Sequence, residues 1–270
     1  MLKAINHTTS FFNKRIKEKP RVGIILGTGL GDFSNNISDQ VKIPYTKIPN
    51  FPRTTVKGHE GQMIFGKIHQ KNVMAMQGRF HYYEGNSMEK IIFPIRIMKF
   101  LGVETLIITN ASGGMNPAFN VGDVMIIKDH IHLMPNPLIG IHEPVFGERF
   151  PDMSEPYDKE LIEKAERIVV DENIPLREGI YIGVTGPTLE TPAEYEYFKR
   201  IGADAVGMST TPEVIAARQM KVKCFGISVI TDLGVPGKIE KVTHEDVQNA
   251  ANKAEPVLTR ILTKLIKEID

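Results

Sequence analysis

The sequence predicts a single α/β domain. Short continuous apolar runs at 22–26, 105–109 and 224–231 have the composition of strands covered on both faces. Each run ends in a polar, small-residue stretch, and stretches of helical periodicity follow. Across 270 residues there is no low-complexity linker, internal repeat or shift of composition that would divide the chain. Hydrophobic residues at 41% and charged residues at 24% are ordinary for a globular protein. A net charge of +1 without a long basic run argues against a nucleic-acid or membrane surface. No apolar segment approaches the length of a membrane span, and residues 1–7 lack the apolar core of a signal peptide. The one cysteine, Cys224, lies in an apolar run and leaves no intrachain disulfide, so the expected location is the cytoplasm.

Residues 4–18 have a weak helical pattern that Lys19-Pro20 should close. The strand 22–26 runs directly into Gly27-Thr28-Gly29-Leu30-Gly31. A dinucleotide fingerprint fails here, because the third glycine comes one residue early and no acidic residue follows at the end of a second strand. Two readings remain: a nest of glycine N–H groups with the Thr28 hydroxyl aimed at an anion, or a tight structural turn. A proline-rich connection, 44–52, leads to His59, which lies between Gly58 and Gly61 ahead of an alternating strand at 63–68. A histidine in such a loop is a candidate ligand-binding group or a plain turn residue.

A strand at 73–76 delivers Gln77-Gly78-Arg79-Phe80-His81-Tyr82-Tyr83-Glu84-Gly85. Alternation sends Arg79 and His81 to one side and Phe80 to the other. A guanidinium fork suits a phosphate, a neighbouring imidazole adds a donor, and Glu84 could hold that imidazole protonated. The alternative is a solvated loop. Residues 88–101 have helical spacing, with Pro94 expected to bend or break the helix and Gly102 to cap it.

The strand 105–109 should end in a loop, 110–116, placed where open α/β sheets bind ligands. The segment 129–151, with four prolines, reads as a long loop, either a lid or a surface packed on a partner subunit. His130 and His132 alternate as half of a metal site would, but no third ligand is evident. Asp158 opens an amphipathic helix that buries Leu161, Ile162, Ala165, Ile168 and Val169. A strand at 179–185 precedes Gly186-Pro187-Thr188-Leu189-Glu190, and Thr191-Pro192-Ala193-Glu194 starts a helix with a reciprocal cap. Glu194 is therefore structural, whereas Glu190 is free to face a ligand. After a short strand at 203–206, Gly207-Met208-Ser209 resembles a nucleophile elbow, but Thr211 stands where its last glycine belongs. The strand 224–231 delivers Asp232. Thr243 to Asp246 then cap a long final helix expected to be kinked or interrupted at Pro256, with His244 either on the surface or in the site.

These candidates all fall at strand ends or just beyond them. Donors for an oxyanion, with a carboxylate pair deeper in, suggest phosphate attacking a bound organic molecule. The blocks GTGLG (27–31), TTVKGHEG (54–61), QGRFHYYEG (77–85), TNASGGMN (109–116), ERFPDMS (148–154), GPTLETPAE (186–194), GMSTTPEV (207–214) and THEDV (243–247) closely resemble those of the trimeric purine nucleoside phosphorylases. They span nearly the whole chain in family order. The resemblance implies a central mixed, partly barrel-like sheet flanked by helices, and phosphorolysis of purine nucleosides to free base and ribose 1-phosphate in purine salvage. It implies that Thr28, His59, Arg79, His81, Ala111 and Ser209 bind phosphate, Ala111 through its backbone. Tyr83, Met208 and His244 would hold the ribose, and Phe150 would cover it from the next subunit of a homotrimer. Glu190 and Asp232 would read the purine beside Leu189, with Asp232, His81 and Glu190 carrying catalysis. Inorganic phosphate would be the co-substrate, with no metal or organic cofactor.

Three departures from the family pattern bear on specificity. Thr28 replaces a serine, Leu189 stands where an aromatic often stacks on the base, and Asp232 replaces an asparagine. An ionised aspartate only accepts, which favours a 6-amino purine, whereas Glu190 suits the N1–H of a 6-oxo purine. Inosine and guanosine are the expected substrates, with adenosine also accepted. A methylthioadenosine phosphorylase is the rival within the superfamily, and polar His244 and the retained Glu190 speak against it. A serine hydrolase and a non-catalytic nucleotide-binding module are the rivals outside it.

Overall fold

The computed structural model describes residues 1–52 and 60–269. Its organising strand is β1 (Val22–Leu26), buried along its whole length because every side chain but Gly23 is a branched aliphatic that needs cover on both faces. It lies parallel to and between β4 (Lys71–Gln77) and β5 (Thr105–Gly114), with Ile24 opposite both Ala75 and Ile107. On one side the sheet continues antiparallel through β3 (Gln62–Ile68) to an edge strand, β2 (Ser38–Pro44). On the other it rolls up through β8 (Ala205–Gly207), β7 (Arg177–Gly183), β6 (Val124–His132) and β9 (Lys223–Leu233). β9 returns to pair with β5 from Thr105↔Lys223 to Gly114↔Leu233, which closes a mixed barrel at one end of the sheet.

Among the described residues, six α-helices flank this sheet: α1 (Leu2–Asn13), α2 (Met88–Leu101), α3 (Lys159–Asp171), α4 (Pro192–Arg200), α5 (Thr211–Gln219) and α6 (His244–Glu268). α2 packs on α1 and α5, and α6 on α3 and β9. The predicted caps are present: Asp158 accepts from the Leu161 N–H at 3.1 Å, and Gly102 ends α2 at φ +113°. At the start of α4, Thr191 and Glu194 cap each other's backbone.

Several expectations are corrected. The first helix stops at Asn13, not near residue 18, because its buried face (Ile5, Thr8, Phe12) ends there; the N–H groups of Arg15 and Ile16 both turn onto the Phe12 carbonyl. β2 was not predicted; it is mostly exposed and is held by its ladder with β3 rather than by an apolar pattern. Residues 110–114 are strand, not loop. Alanine, serine and glycine are weak strand formers, but pairing to β9 and β8 overrides local preference, and the small side chains accommodate a bulge between Ser112 and Gly113. The first four residues of the expected loop at 129–151 belong to β6. Pro94 and Pro256 do not break α2 or α6, since burial of these helices outweighs one missing hydrogen bond.

Candidate active site

The carboxyl ends of β1, β5 and β9, the segment after β4 and the first turn of α6 surround one cavity of about 380 Å³. Of the residues predicted for phosphate, Thr28, Arg79, His81, Ala111 and Ser209 line it. Of those predicted for the nucleoside, Tyr83, Leu189, Glu190, Met208, Asp232 and His244 line it as well. His59 lies outside the described residues. Phe150 is not brought to this cavity: it is 86% exposed and borders a separate hollow with His130 and His132.

One end of the cavity is organised around Arg79, whose side chain is 1% exposed. Its Nη1 donates to Ser209 Oγ at 2.8 Å and to Thr210 Oγ1 at 3.4 Å, and its Nε lies 3.4 Å from Glu213 Oε1. Glu213 also closes the cap of α5, accepting from the Thr210 N–H at 3.1 Å. Thr210 itself is held at φ +72°, a region that β-branched residues rarely adopt. Asn110 Nδ2 donates to its hydroxyl at 2.8 Å, and Ser228 Oγ donates to Asn110 Oδ1 at 2.5 Å. This buried polar chain fixes the turn that presents Ser209. Phe80, as alternation requires, points the other way, against Tyr45 and Phe51.

Glu84 Oε1 accepts from the His81 backbone N–H at 2.8 Å and lies 3.1 Å from His81 Nδ1. The expected protonated imidazole is nonetheless corrected. Burial, joined by the Arg79 charge, holds His81 below its ordinary pKa despite Glu84. That favours the neutral ring, and an ionised Glu84 favours the tautomer whose Nδ1–H is directed at it. Tyr83 stacks on this ring at 4.7 Å, and burial pushes its phenol up to about 12.

The glycine-rich turn packs against its neighbours and also borders the cavity. The Gly27 N–H donates to Thr109 Oγ1 at 3.1 Å, and Gly29, at φ +72°, lies so close to α6 that a β-carbon there would stand 2.5 Å from Ala251 Cβ. Gly27 and Gly29 allow these close approaches, and the turn contributes Gly27 and Thr28 to the cavity wall.

The other end of the cavity holds two carboxyls. Asp232 Oδ1 accepts from Thr231 Oγ1 at 3.0 Å and Oδ2 from Tyr195 Oη at 3.1 Å. Burial raises the pKa of Asp232 and of Glu190, and for Glu190 the nearby Asp232 charge adds to the effect. Sequence reasoning missed Tyr195 and Thr210, and placed Asn110 in the site only as part of the segment 110–116. Polar residues inside apolar strands (Asn110, Ser228) were a usable signal, whereas Tyr195 looks like any core aromatic of an amphipathic helix.

His130 Nδ1 lies 3.1 Å from Tyr157 Oη and His132 Nδ1 2.7 Å from Thr211 Oγ1. Among the described residues no group of three His, Cys, Asp or Glu side chains is placed to hold a metal, and no helix is long and apolar enough to cross a membrane. Among the described residues the partners of the Ser209 side chain are Arg79, Thr210 and Tyr181, none of them placed as a general base.

Residues 21–267 match the family model described as the phosphorylase superfamily. The chain is 46% identical over 267 residues to purine nucleoside phosphorylase 1 of Bacillus subtilis, covering 98% of each chain. It is 43% identical to the purine nucleoside phosphorylase of Rattus norvegicus, covering 97% of this chain and 93% of that one. The solved structure of Schistosoma mansoni purine nucleoside phosphorylase in complex with adenosine superposes with a TM-score of 0.95 at 37% identity, over 100% of this chain and 98% of the other. A Schistosoma purine nucleoside phosphorylase in complex with guanosine gives 0.93 at 37% identity, with the same coverage.

Proposed function

This chain belongs to the phosphorylase superfamily, and we propose that it is a purine nucleoside phosphorylase. It converts a purine ribonucleoside or 2′-deoxyribonucleoside and inorganic phosphate reversibly to free base and (deoxy)ribose 1-phosphate. The observation that carries this reading is a single cavity with a buried Arg79–Ser209 pair at one end and the Glu190–Asp232 pair at the other.

Breaking the C1′–N9 bond leaves positive charge on the sugar and an electron pair on the purine. A phosphate dianion beside C1′ stabilises the first and then bonds to that carbon. A proton held at N7 stabilises the second. Groups fixed in advance are the strongest lever for such charge development, with positioning supplying much of the rest. In this reading Arg79, Ser209, Thr28, His59 and the Ala111 backbone N–H donate to phosphate. Neutral His81 accepts a hydrogen bond through Nε2 from the O–H of a hydrogen phosphate dianion, which keeps its proton and its two negative charges. Tyr83, Met208 and His244 hold the ribose, Leu189 lies against the base, and Glu190 and Asp232 pair with its edge. Phe150, exposed on one chain, covers the sugar of a neighbouring copy in a homotrimer. The chemistry needs no metal or organic cofactor, and its cellular setting is purine salvage in the cytoplasm.

Inosine, guanosine, adenosine, xanthosine and methylthioadenosine, each assayed with and without phosphate, test the proposal. Phosphate-dependent release of base from inosine and guanosine, with a lower rate from adenosine, is the expected result. Purine release that is independent of phosphate, or adenosine far ahead of inosine, contradicts it.

A further inference from the structure

We propose that Tyr195 decides which of the two carboxyls in the base pocket carries a proton, and so tilts the enzyme toward 6-amino purines. The inference rests on the reading of Glu190 and Asp232 as the groups that meet the purine edge. Tyr195 lies on α4, and its ring is packed against Met115, Ile182, Phe198 and Val206. Its hydroxyl stands behind the cavity wall and donates to Asp232 Oδ2, which lines the cavity, at 3.1 Å. The backbone around the pair is cleared for it. A β-carbon on Gly234 would stand 2.1 Å from the tyrosine ring, and one on Gly113 would stand 2.8 Å from Asp232 Oδ2 and 3.3 Å from the phenol oxygen.

The same phenol also interacts with Glu190. It has one proton to donate and two carboxyls within its reach. Among the described residues the other groups acting on the pair are the Thr231 hydroxyl, divided between Asp232 Oδ1 and the Ser112 carbonyl, the backbone N–H of Glu190, which donates to its own carboxylate, and Glu194, which acts on Glu190. The purine edge makes the placement matter. A 6-oxo purine offers N1–H and an accepting O6, so it pairs with ionised Glu190 and protonated Asp232. A 6-amino purine offers an accepting N1 and a donating amino group, so it pairs with protonated Glu190 and ionised Asp232. Each class needs one proton on the pair, on opposite carboxyls. By donating to Asp232, Tyr195 favours its ionised form and leaves the proton to Glu190.

Tyr195→Phe removes the hydroxyl and keeps the ring and its packing. The ratio of kcat/KM for adenosine to that for inosine should fall about tenfold, the size of one hydrogen bond to a charged group. The KM for phosphate should stay unchanged. In an Asp232→Asn background the same substitution should leave the ratio within about twofold, because an amide has no proton to place. An unchanged ratio in Tyr195→Phe, an equal fall in both backgrounds, or no adenosine cleavage by the wild-type protein overturns the proposal. Failure of the underlying reading is distinguishable, since it would appear as wild-type purine release indifferent to phosphate.

Discussion

Arg79 joins two requirements that usually conflict, being almost wholly buried and yet available to an anion. Its ion pair with Glu213 and its bond to Ser209 hold the guanidinium in place while the fork still faces the cavity. Arg79→Lys keeps the charge and loses the fork. It should raise the KM for phosphate about 10- to 100-fold, the worth of a charge-assisted hydrogen bond, while the nucleoside KM changes far less. Initial rates with each substrate varied in turn measure this, and equal effects on both would remove Arg79 from the phosphate seat. At the opposite end, Asp232→Asn restores a donor beside O6 and should raise the inosine-to-adenosine ratio of kcat/KM. An unchanged ratio would separate Asp232 from base recognition. Arg79, His81, Glu190 and Asp232 were legible in the chain because charged groups clustered at strand ends have few structural uses. Tyr195 was not, because a tyrosine hydroxyl that reaches a site and one that does not have the same sequence signature.

At the scale of elements, the first turn of α6 belongs both to the fold and to the cavity. Thr243 Oγ1 accepts from the Asp246 N–H at 3.2 Å, and the Thr243 N–H donates to Asp246 Oδ2 at 2.9 Å. His244 and Val247 of the same turn line the cavity. Thr243→Ala should cost about 1 kcal/mol of stability. It should raise the nucleoside KM several-fold without altering the phosphate KM, as chemical denaturation and steady-state rates would register. A phosphate KM that rises in parallel would mean that the turn supports the cavity as a whole. The strands of continuous apolar composition and the capped helices were legible because local preference and burial agree there. β2 and the second half of β5 were not, because they are strands by virtue of their neighbours. A ladder partner more than a hundred residues away leaves no trace in a local window, as Ala111 opposite Val229 illustrates.

For the molecule as a whole, two further consequences follow. Burial holds His130 at a pKa of about 4, below its ordinary 6.5. The unfolded chain therefore takes up a proton between those values that the native state refuses, so stability is lost as pH falls through 6.5 toward 4, by up to about 3 kcal/mol. Asp232 and Glu190, raised by burial, act in the opposite sense. His130→Gln should flatten the fall in Tm between neutral and mildly acid pH, and an unaltered slope would assign the acid sensitivity to other groups. Phe150, Ile139, Ile141 and Val145 are exposed on the segment that follows β6, apolar surface that the proposed homotrimer would cover. Light scattering should give three times the mass of one chain, and Phe150→Ala should raise the nucleoside KM. A monomeric mass would remove Phe150 from the sugar's cover. The account as a whole rests on one anion seat beneath the sugar. A crystal structure with phosphate or sulfate and a bound purine nucleoside tests it most directly. The ion should lie within hydrogen-bonding distance of Arg79 and Ser209, on the C1′ side of the sugar. An ion found only elsewhere, such as the hollow beside His130 and Phe150, would contradict it.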